Sequence, residues 1–244
     1  MAVSAQYDNF ANVYTESTLL SLHNAYIERP AMLEYIGQVK DLDVLDLGCG
    51  TMVLGSKLLE AGAASFTGID ASAEMLNIAK TRIKQEWKSI VSLREGDLNE
   101  PFDFGGAEFD IIASSLALHY LASWEPVLTS ARGALKDNGR FVFSVHHPFA
   151  DWLNHPEVGP YYGGPTLLHE EWKTAGKETI KLSFYRRPLE MICKEIADAG
   201  WKIDRIAEPR PTPESKAFFE PARWERASSK PSFIIFVLRK PMAD

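Results

Sequence analysis

The chain is expected to fold as an α/β protein built on a doubly wound sheet, and three observations support this. Short apolar runs alternate with helical patterns through the first two thirds of the chain. Such alternation gives parallel strands joined by crossover helices. One run, Val44-Leu-Asp-Leu47, passes through the glycine turn Gly48-Cys49-Gly50 directly into a helix. The chain then ends on two strand patterns, 201–206 and 232–238, with no helix expected between them.

The first strand is short and apolar apart from Asp46, as suits a buried parallel strand. Leu54, Leu58 and Leu59 recur at helical spacing behind it, and Gly62 stands where helices commonly stop. A second strand over 64–70 leads to a helix with Met75, Leu76 and Ala79 on one face. A third begins at Val91 and ends in Gly96-Asp97; a fourth, Asp110-Ile-Ile-Ala113, has its tip at 114–116. Glu125-Pro126 opens a helix, because proline tolerates the first turn, and the fifth strand covers 140–145 after a turn at 136–139. Arg187-Pro188 opens another helix with Leu189, Ile192 and Ile196 on one face. The proline-rich stretch 208–231 is too polar for a core and is expected on the surface.

Composition narrows the function. With 244 residues and 45% hydrophobic content, the chain can bury the core of one α/β domain with insertions. A net charge of −7 argues against nucleic acid as the substrate, since phosphate binding needs a basic face. No apolar run is long enough to span a bilayer, and the N-terminus lacks a secretion signal, so no membrane partner is expected. Two cysteines, Cys49 and Cys193, are too few for a disulfide scaffold and read as small buried residues of a cytoplasmic protein.

A glycine turn between a strand's carboxyl end and a helix's amino end is a place to bind a nucleotide-like ligand. A dinucleotide turn would be G-x-G-x-x-G; here the third slot holds Val53, with Gly55 two positions late. Asp46 inside the strand would repel a pyrophosphate and suits a ligand with positive charge at that end. Asp70, about 20 residues beyond the turn, is placed to accept from ribose hydroxyls. The alternative is that Asp70 or Ser72 only caps the next helix.

The segment from Val44 to Thr51 resembles motif I of class I S-adenosylmethionine-dependent methyltransferases, (V/L)LDLGCGxG, and departs from it at Met52. Gly68-Ile-Asp-Ala-Ser72 is similar to that family's motif II. The resemblance implies a Rossmann-like, seven-stranded sheet with an antiparallel last strand, and S-adenosylmethionine as cofactor. It implies that Gly48, Cys49 and Gly50 hold the cofactor's amino-acid end together with Asp46. Asp70 and Ala71 would then meet the ribose, Met75 the adenine ring, and Asp97 and Leu98 the adenine edge. The tip from Ser114 to Leu116 would lie near the methionine end. His119 follows the fourth strand where the family often has histidine, either packing and capping or acting in catalysis.

Two regions lie outside the generic sheet. Residues 1–40 are expected to form a helical lid on the domain over 41–244, either packing there or reaching the cofactor through Tyr7 or Tyr14. An insertion over 146–187 carries His146, His147, His155, His169 and many aromatics, with a two-stranded flap over 166–173 and 178–185 turning at Ala175-Gly176. Such a flap suits a flat organic substrate. Ser144-Val-His-His-Pro148, Tyr185-Arg-Arg-Pro-Leu189 and Glu208-Pro-Arg-Pro211 resemble steps of bacterial small-molecule methyltransferases. No metal is expected, because adjacent His146 and His147 point opposite ways on a strand. His146, at the fifth strand's tip, is the candidate general base. The expected function is methyl transfer to an oxygen or nitrogen of a small, aromatic or heterocyclic molecule, with a homodimer left open. Cofactor-dependent dehydration or cyclisation, and a non-catalytic cofactor-binding module, remain alternatives.

Overall fold

In a computed structural model, residues 11–173 and 179–241 are described. Nine strands appear among them: β1 (Asp43–Leu47), β2 (Ser65–Asp70), β3 (Val91–Glu95), β4 (Phe109–Ser115), β5 (Leu135–His146), β6 (Thr166–Lys173), β7 (Thr179–Arg186), β8 (Lys202–Ala207) and β9 (Phe233–Arg239). The helices are α1 (Ala11–Leu19), α2 (Arg29–Ile36), α3 (Val53–Glu60), α4 (Ala73–Thr81), α5 (Glu125–Ala134), α6 (Pro148–Asn154), α7 (Leu189–Asp198) and α8 (Pro221–Ser229).

Seven strands form one sheet in the order β3-β2-β1-β4-β5-β9-β8, and β9 runs antiparallel to both its neighbours. The expected antiparallel last strand is therefore present. Side chains alternate between two cores, as the pleat dictates. Leu45, Ile112, Phe141, Phe143 and Phe236 pack under α5 and α7 on one face. Val44, Phe66, Ile111, Val142 and Ile235 pack under α2, α3 and α4 on the other. Met32 and Ile36 of α2 are fully buried in that second core, so this helix belongs to the sheet's packing layer.

β6 and β7 form a separate antiparallel hairpin, pairing Thr166 with Arg186 through Lys173 with Thr179. The expected turn at 175–176 and the expected contact through Tyr7 lie outside the described residues. Other expectations need correction. The stretch 208–231 is not helix-free: it holds a 3-10 turn, Pro213–Ala217, and α8, whose residues are all at least partly exposed. Leu189 is exposed while Ile192 and Ile196 are buried, because α7 shows the sheet a narrower stripe than the spacing suggested. The fifth strand begins at Leu135; its register with β4 jumps from Leu135 to Arg140, so the expected turn residues 136–139 leave the ladder.

The strand order reverses between β1 and β4, the point where open α/β sheets bind ligands beyond their carboxyl ends.

Candidate active site

A cavity of about 140 Å³ opens at this reversal, roughly tenfold more than one water needs, and so is ligand-sized. β1 and its turn supply Asp46, Gly48, Cys49, Gly50 and Thr51; β2 supplies Asp70 with Ala71 behind it; Leu98 follows β3, and Ser115 ends β4 with Leu116 just after it. Met75 of α4 and Tyr120 complete that side. The N-terminal elements close the other with Tyr14, Thr18, Asn24, Glu28 and Arg29.

Glycine is needed at two points of the turn. Gly48 has φ +77°, and a Cβ there would come within 2.3 Å of the Ala117 Cβ. Gly50 has φ +51° with nothing near its missing Cβ, so it leaves the mouth of the turn open. Its amide donates to Asp70 Oδ2 at 2.7 Å, while the Ser72 amide donates to Oδ1 at 2.9 Å. Ser72 caps α4 by accepting from the Met75 amide. Capping and cavity lining thus fall to different residues. Ser72 caps, and Asp70 stands at the wall.

Asp46 is 1% exposed, and its Oδ1 has no hydrogen-bond partner. Burial, followed by the charges of Asp70 and Glu28, pushes its carboxyl up to about 8. Glu28 is also buried and shifted upward by desolvation, against the Ser144 and Ser115 hydroxyls that donate to its Oε1 at 2.6 and 2.7 Å. Asp46, Glu28 and Asp70 therefore all face one cavity. Cys49 packs against Gly68, and burial keeps its thiol protonated. Leu116 holds φ 51°, a left-handed conformation costly for leucine, while its amide donates to Ser144 Oγ at 3.0 Å.

Residues 38–181 match the family model described as a methyltransferase domain, more than half of the chain. The chain belongs to this methyltransferase family. An uncharacterized protein of Haemophilus influenzae is 34% identical over 83% of this chain and 84% of its own length. A demethylmenaquinone methyltransferase of Lactococcus lactis is 28% identical over 60% of this chain, which spans only 57% of that enzyme. Among solved structures, an S-adenosylmethionine-dependent methyltransferase of Mesorhizobium loti superposes with a TM-score of 0.67 at 22% identity, covering 86% of this chain and 96% of that one. The CcbJ methyltransferase of Streptomyces caelestis gives 0.70 at 16% identity, covering 99% and 100%. These last two likenesses establish the fold.

Within this methyltransferase, Tyr14, Asp46, Gly48, Cys49, Gly50, Asp70, Ala71, Met75 and Leu98 all come to the cavity. Three expected residues do not line it. Ser114 is fully buried and donates to the Leu47 carbonyl at 2.6 Å, while Ser115 and Leu116 of the same expected tip do line the cavity. One carboxylate oxygen of Asp97 accepts from the backbone and side-chain nitrogens of Asn99, holding the turn after β3. His146 is stacked on His119 at 4.2 Å and edge-on to Phe184 at 4.6 Å. Its Nδ1 lies 3.7 Å from Asp151, and burial lowers its pKa to about 4. His146 is thus not among the residues that line the cavity. His119 packs beside it with both ring nitrogens unpaired, in a 3-10 turn rather than as a cap. His147 and His155 tie elements together through Glu208 at 2.8 Å and Glu170 at 2.7 Å.

Sequence reasoning missed Glu28 and Arg29. They sit where a π-turn (Asn24–Glu28) hands over to α2, and that extra residue per turn breaks the helical spacing on which periodicity arguments rely. The one visible signal was a charged pair, Glu28-Arg29, within a helical pattern of buried apolar residues.

Proposed function

We propose that this chain transfers a methyl group from S-adenosylmethionine, held in the cavity at the sheet reversal, to an oxygen or nitrogen of a small, aromatic or heterocyclic molecule. The unpartnered, buried Oδ1 of Asp46 carries the proposal, because a cationic amino group is what such an oxygen lacks. The bound cofactor supplies a methyl already made electrophilic by a sulfonium. Asp46 binds the amino-acid end from below, and the open face of Gly50 admits it. Asp70 exchanges one of its backbone partners for the ribose hydroxyls, and Met75 and Leu98 enclose the purine. The segment over 11–28, with Tyr14, covers the opposite side and excludes water. The alternating apolar face of the hairpin (Leu168, Ile180, Leu182 and Phe184) is buried beside Met75 and Tyr120, which supports a flat acceptor next to the flap. The relative named for demethylmenaquinone supports an aromatic acceptor as well.

Calorimetric titration with S-adenosylmethionine, followed by assay of S-adenosylhomocysteine against phenols, quinones and heterocyclic amines, tests this. Binding is expected, with Asp70→Asn weakening it by about ten- to a hundredfold, the loss of charge-assisted hydrogen bonds. Absence of heat from the wild type would overturn the proposal.

A further inference from the structure

The cofactor contacts assigned above step along the sheet edge, from Leu98 after β3, to Asp70 on β2, to the glycine turn after β1. The next step is the β4–β5 boundary, where Ser115 and Ser144 pair in register. Both hydroxyls donate to the same atom, Glu28 Oε1, and no donor among the described residues takes Oε2. Glu28 lines the cavity at 2% exposure, presented by the π-turn rather than by a regular helix. A carboxylate buried this deeply is costly unless something satisfies it, and two serines satisfy one of its oxygens. Glu28 lines the same cavity as the residues assigned to the cofactor, beside Ser115 at the β4 tip.

We propose that Glu28 holds the methyl acceptor and takes its proton, so that the acceptor is a neutral O–H or N–H donor and not a carboxylate or phosphate. This rests on the methyl-transfer reading. The acceptor's O–H or N–H donates to Glu28 Oε2, which aims the lone pair at the methyl carbon. As the new oxygen– or nitrogen–carbon bond forms, the carbon–sulfur bond breaks with its electron pair going to sulfur. The acceptor's proton passes to Glu28, leaving a neutral carboxyl, a neutral thioether and a methylated product. With Asp46 and Asp70 lining the same cavity, an anionic acceptor meets three acids and no compensating site beyond Arg29.

Small fragments that fit any acceptor space test this without knowledge of the natural acceptor. Phenol and aniline, their methylated partners anisole and N,N-dimethylaniline, and benzoate are titrated by ligand-observed NMR into the chain loaded with S-adenosylhomocysteine. Phenol and aniline are expected to bind about tenfold or more tightly than the other three. Glu28→Gln keeps an amide oxygen for the two serines but turns an N–H donor toward the cavity. It is expected to erase that preference while still binding S-adenosylhomocysteine, which also reports that the variant is folded. The proposal is overturned if anisole or benzoate matches phenol, if no fragment binds, or if Glu28→Gln keeps the preference. Failure of S-adenosylhomocysteine itself to bind would instead overturn the methyl-transfer reading.

Discussion

Asp46 shows how a single side chain trades stability for binding. Unfolded, its carboxyl titrates near 3.8; folded, at about 8. Between those values the folded chain holds a proton that the unfolded chain has released. Its contribution to stability is therefore complete below pH about 4 and is lost as pH rises through about 8. Asp46→Asn removes that titration. The variant is expected to match the wild type near pH 4, to unfold at a higher temperature near pH 8, and to bind S-adenosylmethionine at least tenfold more weakly. Thermal unfolding of both proteins from pH 4 to 8 checks this, and parallel curves would remove Asp46 as the responsible group. Asp46 was legible in the sequence because an acid inside an apolar strand is conspicuous. Met52 was legible only as a departure from motif I. It adopts φ 60°, worth roughly 1–2 kcal/mol of strain for a residue with a Cβ, which accounts for glycine being common there. Its side chain is fully buried near Phe66 and Gly55, away from the cavity, so it leaves the ligand turn clear. A Cβ at Gly55 would meet Phe66 Cζ at 2.4 Å. The glycine that came two positions late for a dinucleotide motif thus serves close packing of α3 on β2.

At the scale of elements, the joint between β7 and α7 fixes part of the cavity wall. Arg187 is 2% exposed and donates from Nη2 to the carbonyls of Leu121 and Ala122, each at 2.7 Å. Its guanidinium also pairs with Glu195 at 3.2 Å and lies over the Trp124 ring at 4.8 Å. Leu121 lines the cavity, so Arg187, the insertion's last residue, holds the segment after the β4 tip in place. Arg187→Met leaves two carbonyls and a half-buried carboxylate without their donor and is expected to destabilise the fold by about 3 kcal/mol. A shift of the urea midpoint reads that loss, and an unchanged midpoint would show that the joint adds nothing. The sequence marked Tyr185-Arg-Arg-Pro-Leu189 as a recurring step without saying what its charges did, because the partners are carbonyls some 65 residues away. Elements with a strong period were legible: the sheet strands, α3, α4, α5, α7 and both hairpin strands. α6 and α8 were not. Each starts at a proline, and α6 is seven residues long while α8 has no buried residue, so neither offers an apolar stripe to read.

At the scale of the whole molecule, net charge and the acids of the site point the same way. The chain carries −7 overall, and Glu28, Asp46 and Asp70 converge on the cavity at the sheet reversal. A dinucleotide would bring two phosphates into that field, whereas S-adenosylmethionine brings a sulfonium and an ammonium. The two ligands share adenine and ribose, so they differ in what lies beyond the adenosine: a pyrophosphate and second nucleoside in one, a sulfonium and amino-acid end in the other. A ligand that binds only the folded chain stabilises it by about 2.7 kcal/mol at a hundredfold excess over its Kd. For a domain of this size each kcal/mol moves the midpoint by roughly 2–4 °C, so S-adenosylmethionine at that excess is expected to raise Tm by about 5–10 °C. NAD at the same concentration is expected to leave Tm within about 1 °C, since the pyrophosphate meets acids where a dinucleotide turn would offer amides. In the Asp46→Asn protein the S-adenosylmethionine shift shrinks, because a tenfold weaker Kd removes about 1.4 kcal/mol of that stabilisation. An equal rise with NAD would mean that the adenosine half alone is recognised and that the acids at the strand tips do not select the ligand.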